Sequence, residues 1–75
     1  MKNEKVRYIV KVQIGNQIYF STTKDTDGVS YNSHIKRLSN AIQEGEPVRL
    51  DTSKGTHLFG REALAKAIIS FIIVE

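Results

Sequence analysis

The chain has no cysteine, and no apolar run in it is long enough to cross a bilayer. The missing cysteines exclude disulfides and thiolate metal sites, and they are compatible with a reducing compartment. The longest apolar run, Ile68 to Val74, is interrupted by Ser70 and falls far short of the roughly 20 residues a spanning helix needs. A secretory leader is not expected either. Met1-Lys2-Asn3-Glu4-Lys5 is charged and passes directly into an alternating pattern rather than an apolar core region. The expectation is a cytoplasmic protein that does not enter the membrane. Its 75 residues make one domain, 1–75. A chain this short buries only about 60–65% of its unfolded surface, so its core is marginal. With disulfides excluded, self-association is the remaining common way to stabilise it.

Catalytic patterns are missing as well. Gly-x-Ser-x-Gly does not occur, the two histidines (His34 and His57) lie on unrelated segments, and neighbours Ser53 and Lys54 point apart on a turn. Asp25, Asp27, Glu44, Glu46, Asp51 and Glu62 fall in or beside turns, where acids are ordinarily solvated. Asp25-x-Asp27-Gly28 resembles the centre of a calcium loop. Aligned on Gly28, however, that loop would start at Thr23 and end at His34, and both ends fail. Ser53-Lys54-Gly55-Thr56 has the residues of a phosphate loop but not their order. The sequence predicts a non-enzymatic protein with no metal and no cofactor.

What is present is patterning. Residues 5–14 alternate, with Val6, Tyr8, Val10, Val12 and Ile14 on one side and Lys5, Arg7, Ile9, Lys11 and Gln13 on the other, as in a half-buried strand. Gly15-Asn16 suits a type II′ hairpin turn, and residues 17–23 return. A two-residue turn sets Val12 opposite Tyr19 and puts Ile18 and Phe20 with Ile9 and Lys11. A three-residue loop would bring Ile18 and Phe20 to the other face, and the sequence leaves both registers open. Lys24 to Gly28 is expected as a polar turn. A helix is predicted over 33–44, with N-cap candidates at Ser30, Asn32 and Ser33, an apolar stripe of Ile35, Leu38, Ala41 and Ile42, and a stop at Gly45 and Pro47. Pro47–Asp51 and Thr56–Phe59 form a second hairpin. A short helical turn over 61–67 then feeds a β-branched strand. The expected fold is α+β, in the order β-β-α-β-β-(short α)-β, on a mostly antiparallel sheet or a partly open barrel. The expected core is Val10, Val12, Ile14, Phe20, Ile35, Leu38, Ile42, Val48, Leu50, Leu58, Phe59, Leu64, Ile68 and Phe71.

The formal charge of +3 and pI near 9.4 permit an anionic partner. His34, Lys36 and Arg37 fall in the first turns of the expected helix, where cations are unfavourable by about 0.3–1 kcal/mol each. Helix stability therefore does not explain them. Lys5, Arg7 and Lys11 on one strand could extend that patch, with Tyr19 or Tyr31 to stack on a base and Lys54 at a turn tip. These residues predict a module that binds single-stranded nucleic acid or a nucleotide-like molecule. The alternative is a protein–protein interaction or inhibitor module of phage or accessory-regulator type. In either case, a homo-oligomer is expected to use Ile69, Ile73 and Ile9 as its interface.

Overall fold

A computed structural model describes residues 5–74; the charged residues that open the chain, 1–4, lie outside it. Ten alternating residues form β1 (Lys5–Ile14), and every other strand of the main sheet pairs with it. β2 (Gln17–Phe20) returns antiparallel in the two-residue register, with Ile14 opposite Gln17 and Val12 opposite Tyr19. Gly15 holds φ +59° at the first central position, the conformation that glycine adopts without a Cβ clash.

After β2 the chain breaks its pairing for three residues and then pairs again with the same edge of β1. Residues 24–27 are thus a strand, β3 (Lys24–Asp27), with Tyr8 opposite Lys24 and Arg7 opposite Asp25, and not the expected turn. Ser21 makes the break possible. It is buried, its N–H donates to the Val10 carbonyl, and its hydroxyl accepts from the Val10 N–H and donates to the Thr22 carbonyl. The other edge of β1 carries β6 (Ala67–Ile73), paired from Ile14↔Ala67 to Tyr8↔Ile73.

The parity of these ladders assigns the faces. Tyr8, Val10 and Val12 point inward with Lys24, Tyr19, Ile69, Phe71 and Ile73. Lys5, Arg7, Ile9, Lys11 and Gln13 point outward with Ile18, Phe20, Ile68, Ser70 and Ile72. Two of the expected core residues, Phe20 and Ile68, are therefore 53% and 65% exposed.

The inner face is covered by α1 (Gly28–Gln43) and by the hairpin of β4 (Val48–Thr52) and β5 (Gly55–Phe59), with α2 (Arg61–Ala65) leading into β6. The described sheets do not close into a barrel. α1 begins five residues before its expected start, because the Asp27 carboxylate accepts from the Ser30 N–H at 2.7 Å and caps it. It ends as expected: the Glu46 N–H donates to Ala41 and the Gly45 N–H to Ile42, with Gly45 at φ +72°. Tyr31, Leu38 and Ala41 pack on the core, the first of them added by the earlier start. Ile35 is half-buried and Ile42 is exposed. Leu58 faces outward because its strand neighbour Phe59 faces in. The buried core is Tyr8, Val10, Val12, Val48, Leu50, Phe59 and Leu64. Tyr8 is the member the sequence did not single out.

Candidate functional site

Between α1 and the β4–β5 hairpin lies a half-open cavity of about 350 Å³, floored by Tyr8, Val10 and Val12 of the sheet. Its walls bring together Lys24 from β3 and Arg37 from α1; Arg49 of β4 borders it, with its side chain 69% exposed on the face it shares with Leu58. Lys24 is turned inward by its register opposite Tyr8. Arg37 lies three residues beyond His34, so the two share a helix face. Ser30 and Thr26 add hydroxyls.

Asp51 is the one carboxylate on these walls. It lies 3.8 Å from the Arg49 Nε and accepts from the Thr56 hydroxyl at 3.0 Å. Among the described residues, neither Lys24 nor Arg37 has a carboxylate within 4.0 Å, so the cleft keeps a surplus of positive charge.

His34 sits at the back of this cleft. The Tyr8 hydroxyl hydrogen-bonds its Nδ1. Burial pushes the Tyr8 phenol up from its ordinary value, with Arg37 partly opposing and Tyr31 adding to the rise. The phenol therefore stays protonated at neutral pH. Burial also holds His34 below its ordinary value, and Arg37 and Lys24 lower it further. At neutral pH it is an uncharged ring, packed edge-on against Phe71 at 5.2 Å between centroids.

Of the anion-binding residues expected from sequence, the cavity gathers His34 and Arg37. Lys36 lies on the same helix but does not line it. The longer α1 places all three past the first turns of the helix, so the dipole argument for them no longer applies. Lys5, Arg7 and Lys11 lie on the opposite face of the sheet, where Arg7 is bound to Asp25 at 2.8 Å. Tyr31 packs edge-on against Tyr8 at 4.9 Å. Tyr19 stacks among His57 and Phe59, each at 5.1 Å. Both rings are thus half-buried in aromatic clusters. Lys54 is exposed at the β4–β5 turn, away from the cleft.

The sequence reading missed Lys24 and Arg49. The signal for Lys24 was the alternation Lys24-Asp25-Thr26-Asp27, legible only once β3 is seen as a strand. Among the described residues no group of three or more His, Asp or Glu side chains is placed to hold a metal ion, and no helix is long and apolar enough to cross a membrane.

Of the expected interface residues, Ile9 is on the outer face, whereas Ile69 and Ile73 are on the inner one. Ile69 packs against the core, which gives it a place within its own chain. Comparison with known protein families, with curated proteins and with solved structures returns no match to this chain.

Proposed function

We propose that the protein is a non-catalytic cytoplasmic binding module, acting as a homo-oligomer, that holds a phosphate-bearing ligand in the cleft between α1 and the β4–β5 hairpin. One observation carries this reading: Lys24 and Arg37 converge from two elements on a cavity of about 350 Å³, with Arg49 of β4 at its rim. That volume lies at the small end of the range for ligand pockets. Arginine forks and a lysine point charge suit phosphate oxygens, with Ser30 and Thr26 as further donors.

The cavity favours a nucleotide-sized molecule over a length of nucleic acid. A single strand needs aromatic faces to stack on, and Tyr19 and Tyr31 are engaged in aromatic clusters. Calorimetric titration with a nucleoside monophosphate, beside anisotropy titration with a labelled single-stranded oligonucleotide, separates the two forms. Salt-sensitive binding of the mononucleotide is expected, lost in Arg37→Gln and Lys24→Gln and kept in Lys54→Gln. Absence of binding to either probe at low ionic strength overturns the reading.

A second reading rests on the outer face of the sheet. There Ile9, Ile18, Phe20, Ile68 and Ile72 surround Lys11. A protein docking on that face would need apolar surface with a carboxylate for Lys11, as an interaction or inhibitor module requires.

A further inference from the structure

Among the described residues, β6 is hydrogen-bonded to a neighbouring strand on one side only. The Val74 N–H donates to the Arg7 carbonyl, and this bond fixes which groups point where. In an antiparallel ladder the bonding residues alternate, so Ile68, Ser70 and Ile72 turn their backbone groups towards β1. Ala67, Ile69, Phe71 and Ile73 turn theirs to the open edge.

Protein edges are ordinarily blunted by lysine, proline or a bulge. β6 has none of these: residues 67–74 carry no charge and no proline, and the ladder with β1 runs without interruption. Ile72 and Ile73 beside the edge are 39% and 52% exposed.

We infer that this edge receives the same edge of a second copy, two β6 strands pairing antiparallel about a twofold axis to join two sheets into one. This deepens the self-association proposed above and is independent of the anion cleft. Charge selects the occupant. The chain is cationic, and the apolar outer face of the sheet has Lys11 at its centre between Phe20 and Ser70. Two copies stacked on that face would bury two ammonium groups without partners. The β6 edge meets itself with no charge at all. The register that pairs the whole strand places Ser70 on the axis beside its own copy. Ile69 then faces Phe71 on the inner side, and Ile68 faces Ile72 on the outer side.

The test is sedimentation velocity and native mass spectrometry of the full chain at micromolar concentration. Wild type is expected as a dimer. Ser70→Lys sets two ammonium groups opposite each other at the axis, and Ile73→Pro removes a donor from the open edge while sparing the bonds to β1. Each is expected to weaken dimerisation by about tenfold or more with an unchanged circular dichroism spectrum. Ile18→Lys, on the outer face away from β6, should remain dimeric. A dimer that survives both edge variants, or dissociates with Ile18→Lys alone, overturns the edge mode and leaves self-association standing. A wild-type monomer overturns both.

Discussion

The two faces of the four-stranded sheet are built from alternate residues of the same strands, yet they end in different states. Inward, Tyr8, Val10 and Val12 are 3%, 2% and 1% exposed. Outward, Ile18, Phe20 and Ile68 keep about half or more of their surface in water. Hydrophobicity does not separate the two sets, since the outer one is as apolar as the inner. The difference is cover: α1 and the β4–β5 hairpin both lie on the inner face, and no described element lies on the outer one. A pleated strand thus decides which residues share a face, and the rest of the chain decides which face becomes a core.

Truncation should break this contrast most strongly. Leu50→Ala opens a cavity under the hairpin and is expected to cost about 2–5 kcal/mol, whereas Ile18→Ala should stay within about 0.5 kcal/mol for the monomer. Urea unfolding of both variants at a concentration that keeps them monomeric checks it, and equal losses would refute the account of cover.

The next effect is polar. Ser21→Ala leaves the buried Val10 N–H without its acceptor and should cost about 1–3 kcal/mol, although only a hydroxyl is removed. A loss no larger than that of Ile18→Ala would show that the inner edge of β1 is open to water.

The smallest effect is in pH. The folded state holds His34 below its ordinary value of 6.5, so the unfolded chain binds the proton more readily. Its contribution to stability is complete above about pH 6.5 and is lost as pH falls through the lower folded value. Urea midpoints at pH 7.5 and 5.5 should fall further for wild type than for His34→Gln, and identical falls would place the titration elsewhere.

Much of this contrast is legible in the residues. The period of β1, the Gly15 turn, the Gly45 stop and the second hairpin are local signals, and local chemistry dictates them. The hairpin register was undecided because both faces of β2 carry large apolar groups, so patterning does not favour either parity. β3 was hidden because Lys24-Asp25-Thr26-Asp27 has turn composition, and it becomes a strand only through pairing with β1. The start of α1 moved because Asp27 outcompetes the later serines and asparagine as a cap. The cleft was half legible. His34 and Arg37 stood out in the sequence, but Lys24 joins them, and Arg49 reaches the rim, through tertiary packing that no linear spacing encodes.

The position of β1 has a kinetic consequence. It holds β2 and β3 on one edge through short connections, but its partner on the other edge comes from the far side of the described chain, since the ladder runs from Ile14↔Ala67 to Tyr8↔Ile73. Each of those pairs closes a loop that spans most of the molecule, and the entropy of that closure is lost before the ladder returns any enthalpy. The short-range hairpins and α1 can form early, whereas docking of β6 is the slow step. Until it docks, both edges of β6 and one edge of β1 are unpaired. Refolding should therefore grow less efficient with rising protein concentration, because another molecule's β1 competes for the same strand.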